Sequence, residues 1–121
     1  MIILCLKNHK RICLEVIFFN ENVEKATMNL NPDLVAKFFE IIELMDKTNS
    51  FNLGMPYTKS LNNGLFEIRL KAKSGITRSV FCYFEKNSIV ILHTFVKKSQ
   101  KTPLKDINIC IQRKKELLNE K

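Results

Sequence analysis

The chain has 121 residues, 45% of them hydrophobic and 26% charged, which excludes a disordered chain and suits one domain, residues 1–121, with a single core. Its formal net charge of +8 favours an anionic partner, a nucleic acid or an acidic protein. The apolar opening from Met1 to Leu6 is too short to cross a bilayer, precedes its charges and has no small-residue cleavage site, so the expectation is a cytoplasmic protein with no signal peptide and no membrane partner.

Met1 to Leu6 reads either as a strand-like extension or as a loose N-terminus. Ile12 to Phe19, rich in β-branched and aromatic residues, predicts a mostly buried strand. Asn20 is placed to cap a short helix over residues 21–29, with Val23 and Ala26 turned inward. Asn31-Pro32-Asp33 reads as a helix start: a capping Asn, a Pro at the first turn, an acid at the positive end of the dipole. Leu34, Val35, Phe38, Ile41, Ile42 and Met45 recur at helical spacing, so this helix runs to about Lys47 and covers a sheet. Asn49 to Tyr57, with Gly54 and Pro56, reads as a loop.

Three strands follow, at about 65–71, 76–84 and 88–96. They are joined through Ser74-Gly75 and through a tight Lys86-Asn87 turn, so neighbours run antiparallel. Thr102-Pro103 starts a last helix whose inner stripe is Leu104, Ile107, Cys110 and Ile111. Its other face, Gln112 to Lys115, reads as solvated. The order of elements predicts an α+β domain with helices packed on a mainly antiparallel sheet.

Cys5, Cys13, Cys82 and Cys110 form no C-x-x-C pair and lie in apolar runs. They read as small buried hydrophobes in a reducing compartment. His9 and His93 stand at no zinc-ligand spacing from them, so no metal and no cofactor is expected.

Side chains alternate across a strand, so Leu65, Glu67 and Arg69 share a face. With Lys86-Asn87 as a two-residue turn, Phe84 pairs with Ile89, Val80 with His93 and Arg78 with Phe95. If Arg69 also pairs with Arg78, one face collects Glu67, Arg69, Arg78, His93 and Lys97 at one end. Cys82, Phe84, Ile89 and Ile91 then share that face further along. Such a set suits RNA cleavage without metal, in which the 2′-OH attacks the neighbouring phosphate and the 5′-oxygen leaves. Glu67 is the candidate base and His93 the candidate acid. Arg69 and Arg78 are candidates to clamp the non-bridging oxygens, with Lys97 or Lys98 adding charge. Lys59 and Lys101 are further candidate RNA contacts. A structural alternative stands beside each: a same-face Glu67–Arg69 ion pair, a structural His93, a solvated lysine loop.

The separated blocks Pro56, Lys59, Leu61, Gly64-Leu65-Phe66-Glu67-Ile68-Arg69, Arg78, Leu92-His93, Phe95-Val96-Lys97-Lys98 and Gln100-Lys101-Thr102-Pro103 carry a pattern. It resembles toxins of the RelE/HigB type from bacterial type II toxin–antitoxin modules. The resemblance implies a RelE-like fold and an mRNA endoribonuclease that commonly acts at the ribosome. It also implies a cognate antitoxin, usually a helix-turn-helix protein, through which operator DNA is bound. Family residues acting on RNA carry over to Arg69, Arg78 and Lys97, then to Lys59, Glu67, His93 and Lys98. Some relatives have a Tyr or His near the C-terminus; here neither follows His93. ParE-type relatives share the scaffold but poison DNA gyrase, and a basic RNA-binding module without catalysis is the further alternative.

Overall fold

The computed structural model describes residues 2–5, 14–85, 87–97 and 101–119. In chain order the elements are β1 (Ile2–Cys5), β2 (Glu15–Phe18), α1 (Glu21–Met28), α2 (Pro32–Thr48), β3 (Thr58–Asn62), β4 (Leu65–Ala72), β5 (Gly75–Tyr83), β6 (Ser88–Val96) and α3 (Leu104–Asn119). The strands form one six-stranded sheet in the order β1-β2-β6-β5-β4-β3. Among the described strands only β2 and β6 pair in parallel, with α1, α2 and β3–β5 lying between them in the chain. The α+β expectation is met, with two strands more than the meander and the single N-terminal strand that the sequence predicts.

The N-terminal segment is settled for residues 2–5, which pair antiparallel with β2. The strand predicted from Ile12 starts at Glu15; Ile12 and Cys13 lie outside the described residues. Asn20 caps α1 as expected, its side chain accepting from Val23 N at 2.9 Å. Ala26 is exposed, and Thr27 takes the inward position instead. Thr27 can do so because its hydroxyl is bonded twice: to Val23 O at 3.0 Å, and to Thr94 Oγ1 at 2.7 Å, which in turn meets Ser79 Oγ at 2.8 Å. Asn31 makes no side-chain cap; its backbone carbonyl accepts from Leu34 and Val35, and Pro32 holds the first turn.

Two cores lie on opposite faces of the sheet. Leu34, Phe38, Ile41, Ile42 and Met45 of α2 pack with Phe18, Ile68, Leu70, Phe81, Ile89 and Ile91. Cys110 and Leu117 of α3 pack with Ile17, Leu65, Val80, Cys82, Val90 and Leu92 on the other face. The predicted pairings Arg78–Phe95, Val80–His93 and Arg69–Arg78 are all present. Nearer the β5–β6 turn a bulge shifts the register, so that Phe81 pairs with Ile91 and Tyr83, not Phe84, pairs with Ile89. The predicted grouping of Cys82 with Ile89 and Ile91 therefore fails: the extra residue sends Ile89 and Ile91 to the α2 core and leaves Cys82 in the α3 core.

On α3, Cys110 and Leu117 are the buried positions, whereas Leu104 is 71% exposed, because the helix begins beyond the edge of its core. The solvated face expected at Gln112–Lys115 holds for the exposed Gln112 and Lys115 and is revised for the two residues between them. Arg113 donates to Leu92 O at 2.6 Å and lies over the Phe19 ring, and Lys114 donates to Asn63 O at 2.6 Å. Burial pushes the Cys82 thiol up to about 11 and the Cys110 thiol to about 12, so both stay protonated at neutral pH and act as the apolar fillers expected.

Candidate functional site

The sheet carries its charge at one rim, on the α3 face. Arg69 of β4 stands opposite Arg78 of β5. Glu67, two residues back on β4, stands opposite Lys59 of β3 and Val80 of β5. Alternation along β4 puts Leu65, Glu67 and Arg69 on the same face, and Leu65 belongs to the α3 core. The α3 core thus grades into a polar cluster toward the strand ends.

Glu67 is 2% exposed. Its Oε2 accepts from Arg69 Nη1 at 3.1 Å and lies 3.6 Å from Arg78 Nε, an ion-pair distance too long for a hydrogen bond. Its Oε1 accepts from Thr102 Oγ1 at 2.9 Å. Arg78 is itself buried, and its Nη1 donates to the Thr77 carbonyl at 3.1 Å. Arg69 is partly open.

Burial lowers the Arg78 guanidinium from its ordinary range; the Arg69 charge adds to this and Glu67 opposes it. Burial likewise pushes the Lys97 ammonium down. The Arg78 charge lowers it further, Glu67 opposes, and Arg69 and Lys59 add to the depression. Lys59, Arg69, Arg78 and Lys97 thus act electrostatically on one place, with one carboxylate among them. Cations that depress one another are relieved by an added anion. A phosphate with several acceptor oxygens is the group best matched to two guanidinium forks and two ammoniums.

His93 takes a separate position. It pairs with Val80 along the strands, its Nε2 meets Asp106 Oδ1 of α3 at 2.7 Å, and its ring stacks on Phe95 with centroids 5.3 Å apart. Phe95 is the residue opposite Arg78, so the imidazole sits one same-face position from the arginine pair. Lys59 and Lys101 are exposed, as RNA contacts require, and Lys98 lies outside the described residues. Among the described residues no cluster of three or more His, Cys, Asp or Glu could hold a metal ion. A cavity of about 260 Å³, lined by Asp46, Phe51, Tyr83 and Ser88 among others, opens on the α2 side, away from the arginines. At the rim Glu67 and Arg78 are buried, so the cluster meets solvent through the partly open Arg69 and the exposed Lys59.

Thr102, Asp106 and Arg113 are the polar contacts that the sequence does not announce. Thr102 and Glu67 are 35 residues apart, and Thr-Pro before a helix already has a sufficient reading as a start signal. Asp106 in the first turn of α3 likewise reads as a dipole residue before it reads as the partner of a histidine.

An α+β sheet with helices on both faces and a cationic rim defines a RelE-like scaffold. The chain belongs to the family described as phage derived protein Gp49-like (DUF891), whose model matches residues 26–115, from within α1 to within α3. This is a RelE-like toxin family of toxin–antitoxin modules, and membership implies an antitoxin partner. No curated protein matches the chain. No helix among the described residues is long and apolar enough to cross a membrane.

Proposed function

We propose that the protein is the toxin of a type II toxin–antitoxin module and cuts mRNA on the ribosome, without a metal, so that translation falls. The observation that carries this reading is the meeting of Arg69, Arg78, Lys97 and Lys59 around Glu67 at one rim. In this chemistry the 2′-OH is the nucleophile and the substrate supplies it. The protein's task is to grip the phosphate, neutralise the charge that builds on it and manage protons. Arg69, the partly open member of the pair, grips the non-bridging oxygens, the buried Arg78 adds its charge from behind it, Lys97 adds charge from the loop that follows β6, and Lys59 and Lys101 hold the flanking backbone. The 2′-OH gives up its proton to water as it attacks, and His93, oriented by Asp106, donates a proton to the departing 5′-oxygen. The antitoxin, a protein with a helix-turn-helix domain, silences the toxin and carries the complex to operator DNA.

Induction of the protein alone is expected to arrest growth and to produce discrete mRNA ends by primer extension within minutes. Arg69→Ala and Arg78→Ala are each expected to lower cleavage by on the order of 10²-fold or more and to relieve the arrest. Intact messages with blocked supercoiling would assign the scaffold to gyrase instead. Cleavage undiminished in both variants would remove the rim from the mechanism.

A further inference from the structure

The geometry points to Thr102 as a positioning residue of the cationic rim, acting through Glu67, which holds the two guanidinium groups and takes no proton itself. The inference rests on the RNA-cleaving reading of the same site. A general base has to reach a substrate proton at hydrogen-bonding distance. Glu67 is 2% exposed, and both of its oxygens are engaged: Oε2 with Arg69 and Arg78, Oε1 with Thr102. A 2′-OH meets this carboxylate only if one of those contacts breaks. What the carboxylate does is fix its neighbours. Arg69 and Arg78 face each other across the strands, and two like charges at that spacing turn apart unless an anion lies between them.

Thr102 supplies the remaining constraint. Without it, Oε1 has no other hydrogen bond among the described residues, and the carboxylate is free to rotate about its last torsion, carrying the arginine contacts with it. The donor, Thr102, stands just before α3, and Lys97 directly after β6. Lys97 N donates to Ile76 O at 2.9 Å, and the Pro103 carbonyl opens α3 by accepting from Asp106 and Ile107. One hydroxyl thus couples the start of α3, through Glu67, to the arginine pair. This is the outer support that active groups need to stay in register. A Ser keeps the bond, and a Val of similar shape deletes it.

The test compares wild type, Thr102→Val, Thr102→Ser and Glu67→Gln. Cleavage is followed on an RNA oligonucleotide presented on ribosomes. In parallel, the Arg69 and Arg78 side-chain Nε–H signals are recorded by NMR. Thr102→Val is expected to lower kcat about 10- to 100-fold with KM little changed and Thr102→Ser to restore it, while both arginine signals broaden in Thr102→Val and in Glu67→Gln but stay sharp in Thr102→Ser. Glu67→Gln is expected to keep any acidic limb of the pH–rate profile, since Glu67 takes no proton. Loss of that limb in Glu67→Gln would make Glu67 the base and overturn the inference, as would wild-type kcat and sharp arginine signals in Thr102→Val. If wild type cuts no RNA, the cleavage reading fails, and the arginine signals still decide whether Thr102 holds the rim.

Discussion

Asp33 shows how one carboxylate can serve a place far from its own helix. In the sequence it reads as an acid favoured by the helix dipole, and it does sit in the first turn of α2. It also reaches across to the β4–β5 turn, where Oδ2 accepts from Ser74 N at 3.0 Å and Oδ1 from the Ser74 hydroxyl. The Ser74 hydroxyl, more than the backbone bonds that assist it, holds the Asp33 carboxyl below its ordinary value of 3.8. The sign follows: the folded state prefers the carboxylate, so the contribution is complete above 3.8 and is lost as pH falls through the lower folded value. Asp33→Asn is therefore expected to lower Tm at neutral pH, with the deficit shrinking at successive pH values below 3.8 in thermal unfolding followed by circular dichroism. Glu67 makes the complementary point about legibility. Its place beside Arg69 is readable from strand alternation, but its burial is not, because burial depends on α3 and Thr102 arriving from a distant part of the chain.

The hairpin of β3 and β4 is the element the sequence reading misses, and the reason is physical. β3, Thr-Lys-Ser-Leu-Asn, buries only Thr58 fully and lies at the sheet edge, so it has no apolar alternation to show. The available signal is the turn. Asn62, Asn63 and Gly64 have φ of 79°, 57° and 74°, and Asn-Gly is the strongest short-range hairpin mark. The bulge near the β5–β6 turn is equally silent, since both registers bury apolar residues on both faces. By contrast α2 and the Arg69–Arg78 and Arg78–Phe95 pairings are legible, because a long periodic stripe and short connections leave few alternatives. At Gly64 two constraints combine: a left-handed backbone, and the Lys114 ammonium lying where a Cβ would be. Gly64→Ala is expected to cost about 1–2 kcal/mol from the backbone alone, measured by urea unfolding. It should cost more with Lys114 present, and Gly64→Ala/Lys114→Ala should recover only the part due to the collision.

Across the whole molecule the net charge of +8 matters less than where it is concentrated. A uniformly basic surface and a cationic rim both attract RNA at low salt, yet they respond differently to substitution. If the rim is the phosphate site, a non-cleavable RNA carrying 2′-O-methyl groups should release counterions chiefly from Lys59, Arg69, Arg78 and Lys97. Four phosphate contacts on a single strand give a slope of log K against log salt near −2.8, or about a 50-fold loss of affinity between about 50 and 200 mM salt. Arg69→Ala and Arg78→Ala should each make the slope shallower by about 0.7, whereas removing the exposed Lys115 on α3 should leave it unchanged. Fluorescence anisotropy titrations at several salt concentrations measure all of these slopes. If removing Lys115 flattens the slope as much as removing either arginine, the charge acts as a diffuse field and the rim has no privileged hold on the backbone. If only Lys59, Lys97 and the two arginines flatten it, one end of the sheet grips the message while α3, joined to that end through Thr102, keeps the grip in shape.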